Sequence, residues 1–172
     1  MDTPLKQDRQ VSPDEYSGFI RGLELAYIWV NDARIVNHSG PRLPRDVNLQ
    51  GENNSEWEAT PEGFRVLDHH QLRIRSEEKL VAEVDVTFGL EYGSSVPMTD
   101  QLFRTFSATS LAVNAWPYLR EFLSNMTGRM YWSQFTLPAL KVGAGRPRAE
   151  REGTETDSTT PPRRRRRVPK SE

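Results

Sequence analysis

From Leu80 to Leu90 the chain alternates without a break: Leu80, Ala82, Val84, Val86, Phe88 and Leu90 share one parity, with Glu83, Asp85 and Thr87 between them. Successive strand residues point to opposite faces, so this run predicts a strand with one buried and one solvated face. Glu83, Asp85 and Glu91 then read as the solvent-facing partners of the apolar stripe, not as a paired-carboxylate acid–base site. Upstream, Phe64 to Arg75 alternates through Phe64, Val66, Leu72 and Ile74. The short polar connection Ser76-Glu77-Glu78 makes the two runs an antiparallel hairpin.

Two further segments extend the pattern. Leu23, Leu25, Tyr27 and Trp29 alternate, and Ile28 interrupts them, which predicts a strand with a bulge or with both faces partly covered. Asp46 to Thr60 is polar apart from Val47, Leu49 and Trp57 and reads as a weak or edge strand. The loop His38–Arg45, with Gly40, Pro41 and Pro44, precedes it, and the turn Pro61-Glu62-Gly63 follows it.

Past Gly93 the period changes. Thr99 caps a helix running from Asp100 to about Ala112. A second helix begins near Pro117, a first-turn position where a missing N–H does no harm. On it Leu119, Phe122, Leu123, Met126 and Met130 fall on one face, and Arg120, Glu121, Ser124 and Asn125 on the other. Gly128 ends or loosens the last turn. Five buried side chains at roughly 2 kcal/mol each dock such a helix firmly. Strands first and helices after predict an α+β layer architecture.

The 172 residues suggest one domain with modest ends. Residues 1–17 read as a disordered leader, 18–142 as the folded domain and 143–172 as a disordered, Arg-rich tail. Formal net charge is −1, but residues 146–172 hold nine Lys/Arg against five Asp/Glu and the remainder 14 against 19. An acidic body thus carries a basic tail. The run Arg163, Arg164, Arg165, Arg166 and Arg167 is a candidate contact for an anion: nucleic acid, anionic lipid or an acidic protein. No aromatic residue lies beyond Phe135, so base stacking by the tail is not indicated.

Several chemistries lack their residues. There is no cysteine, hence no disulfide and no thiolate site, which fits a cytoplasmic protein. The sequence has no Gly-rich phosphate loop or nucleophile elbow, and no cofactor is implied. His69 and His70 are adjacent on a predicted strand and face opposite ways, so they do not share a metal. No apolar run approaches the roughly 20 residues that span a bilayer, so membrane insertion is not expected.

The segment from Phe106 to Leu140 carries a family resemblance. Pro117, Tyr118, Arg120 and Glu121, then Thr127-Gly128-Arg129, then Leu137-Pro138-Ala139-Leu140 resemble the SecB chaperone family, where a Pro-Tyr-x-Arg-Glu helix leads through a turn into an apolar, Pro-containing stretch. The likeness covers roughly residues 19–140; the strands match in order and spacing rather than identity. It implies a SecB-like α+β fold, a four-stranded antiparallel sheet packed with C-terminal helices, in a homotetramer built as a dimer of dimers. It implies ATP-independent holding of unfolded clients in surface grooves and no enzymatic activity.

By that resemblance Tyr131, Trp132, Phe135 and Leu137 form one wall of the client groove, with Leu43 and Val47 opposite. Trp116, Tyr118 and Phe122 are assigned to the subunit interface. Asp32 matches one acidic position for the export motor SecA, while the second falls near Val36 and lacks charge. The Thr127-Gly128-Arg129 turn and the short basic tail are more similar to SecB-like chaperones that accompany toxin–antitoxin pairs. The expected client is then an antitoxin. The alternatives are a general export chaperone working with SecA, or a nucleic-acid-associated adaptor acting through the Arg-rich tail.

Overall fold

Ser12-Pro13-Asp14-Glu15 is a helix start written in the expected leader. In the computed structural model, which describes residues 11–132, 135–138 and 140, helix α1 spans Pro13–Arg21. The Ser12 Oγ accepts from the Glu15 N–H at 3.2 Å, and Pro13 occupies the first turn. Residues 13–17, expected to belong to the leader of 1–17, are therefore helical. The cap and the burial of Phe19, 1% exposed, order residues that composition alone made look solvated.

Four strands follow: β1 (Leu23–Asn37), β2 (Asn48–Thr60), β3 (Gly63–Ser76) and β4 (Lys79–Ser94). They form one antiparallel sheet in the order β1-β4-β3-β2. The expected hairpin is β3–β4, with Glu77 at φ 51° in its tight turn. β2 is an edge strand, as its polar composition predicts. Register shifts in β1 between Leu25 and Tyr27 and between Val30 and Asp32 flank Ile28, where the alternation falters.

The two faces of the sheet differ as the alternation requires. On the inner face Phe64 lies opposite Tyr92, Val66 opposite Leu90 and Leu72 opposite Val84, all buried. On the outer face Arg65 bonds Glu58 at 2.9 Å and Glu91 at 3.2 Å, and Arg73 bonds Asp85 at 2.8 Å. The three carboxylates read as solvent-facing thus sit on that side as members of ion pairs. Such half-exposed pairs contribute little stability individually.

Behind the inner face runs a long helical segment: α2 (Asp100–Phe106), a π-helical turn (Ser107–Leu111) and α3 (Ala112–Arg129). Thr99 caps α2, its Oγ1 accepting from the Leu102 N–H at 3.3 Å. The second helix does not start near Pro117; Pro117 lies inside α3 on its exposed side. Water there can take up the carbonyl left without an N–H partner, so one proline does not end the helix. At the π turn, the Tyr16 hydroxyl from α1 hydrogen-bonds both Thr109 Oγ1 and Ser110 Oγ at 2.7 Å.

Phe106 holds this layer to the sheet. Its ring is fully buried and meets Tyr92, Phe64 and Phe19 edge-on, at centroid distances of 5.3, 5.8 and 6.0 Å. Phe64 stacks on Tyr92 at 5.0 Å. The Asn114 side-chain amide donates to the Tyr92 hydroxyl at 3.0 Å, linking α3 to β4.

Burial pushes the Tyr92 phenol up to about 12; the Asn114 hydrogen bond opposes this and the Asp68 charge adds to it. An unfolded tyrosine ionises near pH 10. The raised folded value therefore contributes stability that is fully present below about pH 10 and is lost as pH rises through about 12. Urea melts across this range should show a steeper alkaline fall in the wild type than in Tyr92→Phe. Equal slopes would mean that the phenol ionises as freely in the folded chain as in the unfolded one.

Candidate binding cleft

The inner-face parity of β3 continues through two polar residues. Between Val66 and Leu72 it places Asp68 and His70 inward, 1% and 8% exposed. On β2 the residues opposite Asp68, His70 and Leu72 are Ser55, Asn53 and Gly51. Beside these residues the sheet and the helical layer part to leave a cleft of about 380 Å³. Leu49, Gly51, Leu72, Asp68 and His70 line it from the sheet, and Leu111, Ala115, Trp116 and Leu119 from the helix. Leu137 and Leu140 of the C-terminal segment close one side.

That segment is tied to α3 by its main chain. The Arg120 Nε donates to the Leu137 carbonyl at 2.9 Å, and the Trp116 indole donates to the Pro138 carbonyl at 3.0 Å. Polar groups of α3 thus hold an apolar stretch against the sheet, and the Leu137 side chain joins the core at 2% exposure.

The polar floor is a hydrogen-bonded set centred on the Asp68 carboxylate. Asp68 Oδ1 accepts from the Ser55 hydroxyl at 2.8 Å, and Oδ2 pairs with His70 Nε2 at 2.8 Å. A carboxylate this buried is tolerable only when so paired. Ser55 and His70 bond the carboxylate and not each other, so no hydroxyl is held by the imidazole as a nucleophile would be. His69 turns to the other face and bonds Thr87 Oγ1 at 2.8 Å.

The residues expected to wall a groove fall in three places. Leu43, Val47, Trp132 and Phe135 gather around Ile74, Val81 and Ala82 at the far end of the sheet. Trp132 is 6% exposed and its indole N–H donates to the Gly40 carbonyl at 3.0 Å, so it is a core residue that ties the His38–Arg45 loop down. Tyr131 is 85% exposed at φ 60° beyond the end of α3. Leu137 lies at the cleft instead, and Phe135 touches both apolar clusters.

Of the three expected interface residues, Trp116 lines the cleft and Phe122 packs edge-on against Phe88 at 6.1 Å within the same chain. Tyr118 remains 43% exposed. Asp32 is exposed on β1 just past a bulge. Arg163–Arg167 lie outside the described residues. Asp68, His70, Ser55 and Gly51 went unread as site residues, although the even parity of β3 runs straight through Asp68 and His70. Among the described residues no group of three or more His, Cys, Asp or Glu is arranged to hold a metal ion, and no helix is long and apolar enough to cross a membrane.

No protein-family model matches the sequence, and no curated protein matches it either. Among solved structures, the chain is similar to the SecB-like chaperone Rv1957 of Mycobacterium tuberculosis, in complex with a ChAD peptide from the Rv1956 HigA1 antitoxin. The TM-score is 0.63 at 22% sequence identity, over 71% of this chain and 93% of that chain. The fold here is therefore SecB-like.

Trp132→Ala should destabilise the protein by about 3–5 kcal/mol, as a large buried ring does when truncated. Tyr131→Ala should stay within about 0.5 kcal/mol of wild type. Denaturant midpoints of the two variants test this division, and comparable losses would contradict it.

Proposed function

We propose that this protein is a non-enzymatic, SecB-like chaperone that holds an extended apolar segment of an unfolded client in the cleft between its sheet and α3, and that the client is an antitoxin. The observation that carries the reading is the cleft itself: leucine-rich, edged by Trp116, and open in a fold shared with a chaperone bound to an antitoxin peptide. An apolar groove with one aromatic edge binds varied extended sequences through area rather than through a fixed set of polar contacts. Nothing in that task requires nucleotide.

Leu43, Val47 and Phe135, half-buried around the core residue Trp132, continue the apolar surface along the sheet, and Tyr131 stands exposed beside them as a further client contact. Assembly into a homotetramer through exposed apolar residues, Tyr118 among them, is part of the same reading. So is a cytoplasmic location. Delivery to SecA is the alternative; it rests on exposed Asp32 and is weakened by Val36 at the second acidic position. A nucleic-acid role would rest on Arg163–Arg167 alone.

Co-expression with an antitoxin from the same genome should raise its soluble yield and lengthen its half-life several-fold. Trp116→Ala, which removes the aromatic edge, should weaken binding of a labelled antitoxin peptide about tenfold, the scale of an interface aromatic. An antitoxin half-life indifferent to the chaperone would remove the dedicated client. Wild-type affinity in Trp116→Ala would move the client elsewhere on the surface.

A further inference from the structure

We infer that His70 is a main-chain anchor: its Nδ1 accepts a hydrogen bond from one backbone N–H of the peptide docked in the cleft, and so sets the register of a client whose side chains meet a largely leucine-lined surface. This deepens the chaperone reading above and rests on it.

A buried carboxylate–imidazole pair in the middle of an apolar sheet face is a poor stability device, since well-packed apolar residues of similar volume do as well or better. Its position explains it. The pair sits on the floor of the cleft. Asp68 can only accept, and it already receives the Ser55 hydroxyl at Oδ1, so in the neutral ring His70 Nε2 donates to Oδ2. The proton is thereby fixed on Nε2, and Nδ1 becomes a bare acceptor. Among the described residues Nδ1 has no hydrogen-bond partner, while the ring itself lines the cleft.

The neighbourhood favours a peptide backbone as the donor. Gly51, on β2 across from Leu72, leaves room for Leu72, whose Cδ2 would lie 2.9 Å from a Cβ there, so no side chain of that position rises over the floor of the cleft. The helix wall offers no competing free donor at this point, because the Trp116 indole is spent on Pro138 and the Ser107 hydroxyl on Arg104. Every residue of an extended client except proline carries a main-chain N–H. An acceptor at the cleft floor therefore fits a holder of varied sequences: it fixes position without reading side chains.

The test is an amide-to-ester scan of a fluorescently labelled, extended apolar peptide, each ester replacing one N–H by oxygen, with binding read by anisotropy. Wild type should lose about fivefold at one position, the scale of one hydrogen bond, and little elsewhere. In Asp68→Asn the carboxamide can donate to Nε2, which moves the ring proton to Nδ1 and reverses its role. The parent peptide should then weaken, and the ester at the sensitive position should bind as well as the parent or better. The double variant Asp68→Leu/His70→Leu leaves no buried charge unpaired; it should bind the parent peptide about fivefold more weakly than wild type and show a flat ester profile. A flat profile in wild type, or a profile in Asp68→Leu/His70→Leu that keeps the sensitive position, overturns the anchor while leaving the chaperone reading intact. Failure of wild type to bind any peptide in the series overturns both.

Discussion

The aromatic contact between the helical layer and the sheet is the constraint on which the rest depends. Phe106 enters among Phe19, Phe64 and Tyr92 and fixes where α2 stops and how closely the π turn approaches the sheet. Large rings at this end press the two layers together. Beyond them, where β3 offers Asp68 and His70 and β2 offers Gly51, Asn53 and Ser55, there is too little apolar volume to fill the same gap. The cleft is the consequence: one end of the interface is packed with rings and the other is left open.

The open end is stabilised by different means. Main-chain carbonyls of Leu137 and Pro138 are held by Arg120 and Trp116 of α3, so the chain after the helix returns as a wall instead of leaving the domain. Trp132 does the same at the far end by bonding the Gly40 carbonyl. The two tryptophans thus share a device, an indole N–H on a backbone carbonyl, but only Trp116 also faces the cleft. Long-range ties of this kind hold irregular segments that have no ladder of their own. They leave the cleft with largely apolar walls, a polar floor at Asp68 and His70 and, in our reading, a preformed seat for an extended peptide.

Much of this was legible in the residues. The parity of Leu80–Leu90 and of Phe64–Ile74 specified the central hairpin and its buried face, and polar β2 announced an edge. The faltering at Ile28 marked the bulged stretch of β1. Other features were written but outweighed. Ser12-Pro13 is a helix start in a polar leader, and it becomes convincing only once Phe19 has a pocket to enter. Pro117 is a plausible first-turn residue, and nothing local shows that the helix has already run through it.

The sequence by itself determined the layers: that β3 and β4 form a hairpin, which face they bury and that helices follow to cover it, because side-chain parity and helical period are local properties of the backbone. Tertiary structure alone decided where the layers part. Where Trp116 and Trp132 pack within the chain, and whether Asp68 and His70 are solvated or buried together, depend on volumes contributed by segments far apart in the chain. Packing density is a property of the assembled layers, and no window of the sequence contains it.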